Sequence, residues 1–263
     1  MASTATITPL SDHPVFKRPI KQMDPPMNAY DPLYLARKKQ CPEQIHSLKN
    51  SKLLAFFTEG ELSPDTVTVV CFPAAGFGKC EFIPAEQIPG VFLVCIDDAG
   101  HGNSTELTKE PVFSESVSDV VELLDALGVE KFYVMGHSRG GCHALQVASA
   151  LKDRVLGCAT LSAPTDLHHS SLSKKEQKKL DSINALMLSS NGCCKSLIRM
   201  AFKGLYYHPD KTKDFGFTGH SSGGYSYYVG KATGGAPKEI CKDHFFVSKL
   251  LDAELNGINS KVC

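Results

Sequence analysis

A serine stands between glycines in the run Gly-His-Ser-Arg-Gly at residues 136–140, directly after an apolar run and directly before a run compatible with a helix. A strand that turns sharply into a helix forces the residue at the turn into a strained conformation, and side chains two positions away would collide there. The hydroxyl of Ser138 would then stand clear of the sheet, beside a helix N-terminus whose dipole favours negative charge. This pattern predicts a nucleophilic serine for acyl transfer. The alternative is a glycine-rich turn whose serine caps a helix.

Such a serine needs backbone N–H donors aimed at the oxygen atom that becomes negatively charged during the reaction. The N–H of Arg139 is one predicted donor. The second is expected from the glycine-containing loop after the apolar run 66–72, where Ala75 is preferred and Ala74 comes next. The alternative for that loop is a plain tight turn. His137, adjacent to the serine and facing away from it, is predicted to pack or to lie at the rim of the site.

The elements that must position these residues are visible as four apolar runs typical of buried strands, at 66–72, 90–96, 131–136 and 155–163. Between the second and the third, apolar residues from Val117 to Leu127 recur with helical spacing. Ser114 or Ser116 can begin that helix and Gly128 can end it. Strands that are apolar throughout and alternate with helices predict an α/β fold, a mostly parallel sheet with helices on both faces. The loops after these strands should then meet at one edge of the sheet.

Residues 66–166 resemble an α/β-hydrolase. The run Gly-His-Ser-Arg-Gly-Gly is similar to the nucleophile elbow of that family, and Asp97, Gly100, Gly102 and Ser104 match its Asp-x-x-Gly-x-Gly-x-Ser loop. The run Cys-Phe-Pro-Ala-Ala-Gly-Phe-Gly is similar to the Cys-Phe-Pro loop of type II thioesterases. The resemblance implies the fold and a structural role for Asp97, while the substrate does not follow from it.

The resemblance also implies an acid and then a histidine on loops that follow later strands. The family's usual strand and acid pattern does not occur after residue 166. Asp166 is the candidate acid, with a helix cap as the alternative. His220 and His244 are the candidate bases, followed by His168 and His169. The chain is therefore expected to end before the sheet is complete on its C-terminal side.

The composition is that of a soluble globular protein, with 263 residues, 42% hydrophobic and 21% charged, and a formal net charge of zero. Zero net charge removes the electrostatic reason for a nucleic acid or an anionic membrane as partner, and no apolar run is long enough to span a membrane. The ten cysteines show no zinc spacing, so no metal or organic cofactor is expected. Reduced thiols predict a cytoplasmic protein, with an organelle transit peptide in the Ser/Thr-rich N-terminus as the alternative.

The chain is expected to comprise a partly disordered N-terminal tail (1–50), an α/β-hydrolase core (51–166) and a helical cap (167–263). Its predicted function is that of a serine hydrolase that cleaves a carboxylic ester or thioester in a small-molecule acyl substrate. Self-association through an exposed sheet edge is a further expectation. The alternative is a catalytically impaired or truncated α/β-hydrolase-like protein that binds a ligand or a partner chain. A third interpretation is an enzyme whose C-terminal part is missing from this sequence.

Overall fold

The computed structural model describes residues 6–13, 31–74, 78–105, 113–163, 173–177 and 249. Within these residues the strands are β1 Ile7–Pro9, β2 Gln44–Ser47, β3 Leu53–Glu59, β4 Val67–Phe72, β5 Val91–Ile96, β6 Phe132–His137 and β7 Val155–Leu161. The α-helices beside them are α1 Pro32–Gln40, α2 Phe113–Ala126 and α3 Arg139–Ala150. Short 3-10 helices lie at Leu10–Asp12 and Lys79–Phe82.

The described strands form one seven-stranded sheet in the order β1-β2-β3-β5-β4-β6-β7. The pairs β5 with β4, β4 with β6, and β6 with β7 are parallel, as the four apolar runs predicted. The strands β3, β2 and β1 extend the sheet beyond β5 by antiparallel pairing. The predicted α/β fold with a mostly parallel sheet is therefore confirmed. The carboxyl ends of β4 to β7 lie at one edge, which is where the loops that carry function collect in such sheets.

The strands β4 and β5 are largely apolar because both of their faces are buried. Along β4, Val70 and Phe72 belong to a core cluster that includes residues of α2 and α3. The intervening Cys71 belongs to a second cluster, which includes Tyr34 of α1. Since successive side chains of a strand point to opposite faces, α1 lies on one side of the sheet and α2 and α3 lie on the other. Helices on both faces hold the sheet edge, and the residues at that edge, in a fixed frame.

Several cysteines fill the core as small apolar side chains. The thiols of Cys41, Cys71, Cys80 and Cys95 are buried and form no disulfide, and burial raises the pKa of the Cys41 thiol to about 11. A thiol with so high a pKa is unreactive at neutral pH because the thiolate is the reactive form. Cys158 on β7 is exposed, because β7 is the outermost strand of the described sheet on that side.

The sheet begins earlier in the chain than the sequence predicted. The strands β1 and β2 lie in the segment that was assigned to an N-terminal tail, and β3 was not recognised. β1 and β2 contain only three and four residues, which is too short to show a strand period. They are placed by pairing with β3, which is a long-range interaction. For residues 6–13 and 31–50 the structure therefore replaces the predicted tail by two strands and a helix.

The helix α2 ends as predicted and begins earlier than predicted. Gly128 has a φ of 74°, and the N–H groups of Gly128 and Val129 donate back to carbonyls of the last turn. This is the usual way in which a left-handed glycine closes a helix. The helix begins at Phe113, so Ser114 and Ser116 lie inside its first turn.

The described sheet belongs to a compact unit formed by Met1–Ala163 and Ile240–Cys263, and a second unit comprises Pro164–Glu239. In the second unit a helical turn begins at Ser173, whose hydroxyl accepts from the Glu176 N–H at 3.3 Å while the Glu176 carboxylate accepts from the Ser173 N–H at 2.9 Å. A reciprocal cap of this kind is typical of the start of a helix. Among the helices described in either unit, none is long and apolar enough to cross a membrane.

Candidate active site

Ser138 occupies a sharp turn between the end of β6 and the start of α3. Its backbone angles are φ 51° and ψ −121°, a left-handed conformation that a non-glycine residue rarely adopts. The turn is held by two backbone hydrogen bonds, from the Ser138 N–H to the Leu161 carbonyl at 2.8 Å and from the Gly141 N–H to the Ser138 carbonyl at 2.9 Å. Strain of this kind costs on the order of 1–3 kcal/mol and persists only where the surroundings enforce it. The strand, serine and helix predicted from the sequence are therefore all present.

The glycines around Ser138 are required by close packing. A Cβ added at Gly136 would lie 2.0 Å from the Gly140 carbonyl oxygen, and one added at Gly140 would lie 2.2 Å from the Phe72 carbonyl oxygen. A Cβ added at Gly141 would meet the Ala163 Cβ at 2.5 Å. The loops after β4 and β7 thus press against the N-terminus of α3. A serine that only capped a helix would not need three glycines within three residues of it.

Arg139 opens α3, and its side chain is held away from the start of the helix. The N–H groups in the first turn of a helix have no acceptor within the helix, so this end of α3 favours an anion. The Arg139 guanidinium donates to the Asp98 carboxylate at 2.7 Å. Because this carboxylate already neutralises the guanidinium, the arrangement disfavours a role for the side chain as an anion clamp.

A buried carboxylate joins the loop after β4 to the strand that leads into Ser138. Glu81 Oε2 accepts from the Ala74 N–H at 2.9 Å, and Glu81 Oε1 contacts His137 Nδ1. The hydrogen bond to Glu81 raises the pKa of His137 although burial opposes this. The Ala74 N–H is thus already engaged, which removes it as a predicted oxyanion donor. His137 lies at the rim, as predicted, but its ion pair with Glu81 was missed.

Asp97 is a loop carboxylate whose oxygens are engaged by one residue. Its Oδ1 accepts from the Lys79 N–H at 2.7 Å, and its Oδ2 accepts from Lys79 Nζ at 2.5 Å. Burial alone would lower the pKa of Lys79, but the carboxylates of Asp97 and Glu43 raise it well above its usual range. Gly102 packs on this carboxylate so closely that an added Cβ would lie 2.2 Å from Asp97 Oδ2. These contacts are those of a structural residue, the role implied by the family resemblance.

A second carboxylate of the same loop faces buried histidines, and the sequence analysis did not single it out. His143 Nε2 on α3 lies 3.6 Å from Asp98 Oδ2. His143 Nδ1 lies 3.2 Å from Ser116 Oγ, and the ring stacks on Phe72. Burial lowers the pKa of His143 and, in the same way, that of His101. Beside α3, the imidazoles of His101 and His143 therefore favour their neutral form, and the ion pair between Arg139 and Asp98 lies next to them.

These histidines are expected to make stability depend on pH. Their pKa values in the folded chain lie below the unfolded value of 6.5, so the unfolded chain takes up protons first as the pH falls. Their contribution to the free energy of unfolding is complete above about pH 6.5. Below that pH the free energy of unfolding falls by at most about 1.4 kcal/mol per histidine and per pH unit. Urea unfolding at about pH 7.5 and about pH 5.5 should show this loss, and His143→Gln should reduce it. An equal loss in wild type and variant would contradict the assignment to His143.

Of the site residues predicted from the sequence, the structure describes Ser138 and Arg139, which lie side by side in the turn after β6. The others lie outside the described residues, namely Ala75, Asp166, His168, His169, His220 and His244. Among the described residues no hydrogen bond to Ser138 Oγ is formed, and no group of three or more His, Cys, Asp or Glu side chains could hold a metal ion.

Comparison with known proteins agrees with this geometry. Residues 71–183 match the family described as the alpha/beta hydrolase fold, a range that includes β5, α2, β6, the Ser138 turn, α3 and β7. Residues 71–183 are thus similar to the α/β-hydrolase superfamily, whose fold the described strands and helices share. The matched range contains the three motifs on which the resemblance in the sequence depended.

Individual proteins that are similar to this chain match it over part of their length. Epoxide hydrolase B of Mycobacterium tuberculosis is 30% identical over 128 residues, which are 46% of this chain and 36% of the relative. A putative carbamate hydrolase of Caulobacter sp. is 32% identical over 101 residues, 36% of this chain and 37% of the relative. The crystal structure of a hydrolase from Pseudomonas aeruginosa is 17% identical with a TM-score of 0.47, and the match covers 81% of this chain and 72% of that one. The chain thus spans little more than a third of the length of the curated relatives it matches.

Proposed function

We propose that this chain is a serine hydrolase that cleaves a carboxylic ester or thioester, with Ser138 as the nucleophile. The observation that carries the proposal is the left-handed conformation of Ser138 at the start of α3. A serine in this position exposes its hydroxyl at the sheet edge, and the helix N-terminus behind it favours developing negative charge. The relatives named above are hydrolases by name, which supports hydrolysis. A carbamate, like an ester, is attacked at a carbonyl carbon.

In the proposed reaction Ser138 Oγ forms a bond to the carbonyl carbon, and its proton passes to a base. The carbonyl oxygen becomes negative and accepts hydrogen bonds from the N–H groups of Arg139 and Ala75. When the carbonyl re-forms, the alcohol or thiol leaves with a proton from the base, and water then releases the acid from the acyl-enzyme. His220 or His244 is proposed as the base and Asp166 as its acid partner. A small-molecule acyl substrate is the proposed ligand.

The test is labelling with a fluorophosphonate probe followed by peptide mass mapping. We expect wild-type protein to be labelled on Ser138, and Ser138→Ala to remain unlabelled. His220→Gln and His244→Gln would then identify the base, because loss of the base slows labelling. Folded wild-type protein that stays unlabelled would overturn the hydrolase proposal.

A second candidate function is binding without catalysis. In this interpretation the Ser138 turn keeps the shape of a nucleophile elbow, while the chain binds a ligand or a partner chain. A protonated hydroxyl without a base leaves only a small part of the catalysis of a complete site.

Self-association through the sheet edge is also proposed, since Leu156 and Leu161 on the outermost described strand are exposed. Sedimentation of the unlabelled protein would show whether it forms dimers.

A further inference from the structure

An ion pair lies directly beside the proposed nucleophile. Arg139 follows Ser138 in the chain and is the first residue of α3. Its Nη2 donates to Asp98 Oδ2 at 2.7 Å, and Asp98 lies in the loop after β5. The Asp98 side chain is 5% exposed, whereas that of Arg139 is 31% exposed. The negative end of the pair is therefore buried, and the positive end reaches the surface next to Ser138.

The Asp98 carboxylate compensates the positive charge of Arg139. Within the part of the chain that the structure describes, Arg139 Nε meets no acceptor, so one carboxylate holds the guanidinium. His143 Nε2 also lies near Asp98 Oδ2, at 3.6 Å, but burial lowers the pKa of His143 and favours its neutral form. Near neutral pH the Asp98 charge is therefore balanced against Arg139. Loss of the carboxylate charge would leave the pair with one net positive charge.

The same balance recurs at neighbouring strand ends. Glu81 contacts His137, the last residue of β6, and Asp97 pairs with Lys79 at 2.5 Å. A substrate carboxylate that leaves water needs a cation to pair with it, because an unpaired charge is costly to bury. These cations already have carboxylate partners. The described side chains of these strand ends therefore disfavour an acyl group that carries a negative charge.

We propose that Asp98 is a specificity-determining residue, which compensates the charge of Arg139 and so selects acyl groups without negative charge; this inference rests on the function proposed above. An acyl group attached to Ser138 lies near Arg139 because the two residues are neighbours in the chain. Opposite charges attract over several ångströms in a partly exposed site. A net positive charge at Arg139 would therefore favour acidic acyl groups, and Asp98 removes that attraction.

The test compares two esters of equal acyl length, 4-nitrophenyl hexanoate and mono-4-nitrophenyl adipate, which end in a methyl group and a carboxylate. The measured quantity is the ratio of kcat/KM for the adipate ester to kcat/KM for the hexanoate ester, in which a general loss of activity cancels. In Asp98→Asn the amide oxygen still accepts from Arg139, but the pair is now positive. The ratio should rise about 5- to 10-fold, through a lower KM for the adipate ester. The rise should shrink in about 0.5 M NaCl, because salt screens the attraction.

Two control variants separate the charge of Arg139 from other effects. Asp125→Asn removes the carboxylate of another aspartate–arginine pair, formed with Arg154 at 2.6 Å. That pair joins the end of α2 to the residue before β7, at the opposite edge of the sheet, so the ratio should match wild type. Adding Arg139→Gln to Asp98→Asn removes the positive charge and keeps the backbone N–H at position 139. This double variant should return the ratio to the wild-type value.

The wild type provides the test if Asp98→Asn does not fold. With the charge of Arg139 compensated, wild type should prefer the hexanoate ester. Its ratio should change less than about two-fold between about 0.05 M and 0.5 M NaCl, because no net charge acts on the acyl group. A preference for the adipate ester that falls with salt would show that Arg139 attracts the acyl carboxylate, and would contradict the role of Asp98.

The outcomes distinguish the two proposals. Wild-type turnover with an unchanged ratio in Asp98→Asn, or with a rise that Arg139→Gln does not reverse, would overturn the role of Asp98 and leave the hydrolase function intact. Absence of turnover and of fluorophosphonate labelling in the wild type would overturn the hydrolase function, and the role of Asp98 would be lost with it. A ratio that rises in Asp98→Asn and returns in the double variant would support both.

Discussion

Replacing Asp97 by asparagine is expected to reduce the free energy of unfolding by about 3–5 kcal/mol, because it leaves the buried ammonium of Lys79 without its main partner. Asp97 is completely buried, and both of its oxygens accept from Lys79. Asparagine keeps the shape of the aspartate side chain but supplies only one acceptor oxygen. Its NH₂ group must then face either the backbone N–H or the ammonium of Lys79, which are both donors. Urea unfolding followed by circular dichroism measures the loss.

The matched control for this prediction is Glu43→Gln. Glu43 also contacts Lys79 Nζ, at 3.2 Å, but its side chain is 24% exposed, so solvent screens its charge. Its loss should cost less than about 1 kcal/mol. In the double variant Lys79→Met with Asp97→Asn, both charges of this buried pair are gone. Its loss in the free energy of unfolding should therefore be smaller than the sum of the losses in the two single variants. Equal losses in Asp97→Asn and Glu43→Gln would contradict the assignment of Asp97 as the main partner.

The sequence predicted those parts of the fold whose patterns are local. The runs that became β4 and β5 are apolar because both faces of the sheet are covered there. The runs that became β6 and β7 are apolar enough to be recognised as well, although Tyr133 and Leu156 are exposed. The turn at Ser138 was recognisable because close packing and a strained backbone demand glycines at fixed positions. Gly128 was recognisable as a helix end for a similar reason, its positive φ.

The parts that were missed depend on contacts between distant residues. Glu81 and His137 are 56 positions apart, and Arg139 and Asp98 are 41 positions apart. No spacing rule joins such pairs, and each residue taken alone looks like an ordinary polar or charged side chain. The occupied Ala74 N–H could not be foreseen for the same reason, since its acceptor lies on a side chain that only the fold brings near.

Gly140→Ala is expected to have the other large effect, on stability and on the proposed reaction together. Gly140 lies in α3, where alanine is favoured by helix propensity, but there is no room for a side chain. The added Cβ would lie 2.2 Å from the Phe72 carbonyl oxygen and 2.6 Å from that of Pro73. Both are backbone atoms, so α3 and the loop after β4 must separate by about 1 Å, at a cost on the order of 3 kcal/mol. That separation moves the N–H of Arg139, the proposed oxyanion donor on α3, away from the end of β4.

Gly128→Ala is the matched control because the added Cβ meets backbone strain there and no steric clash. Gly128 has a φ of 74° and open space around the position of a Cβ, so alanine there should cost only about 1–2 kcal/mol of backbone strain. It is remote from the Ser138 turn and should leave the fluorophosphonate labelling rate unchanged, whereas Gly140→Ala should reduce that rate by about 100-fold. Similar labelling rates in the two variants would mean that the contact between α3 and the loop after β4 does not set the reactivity of Ser138.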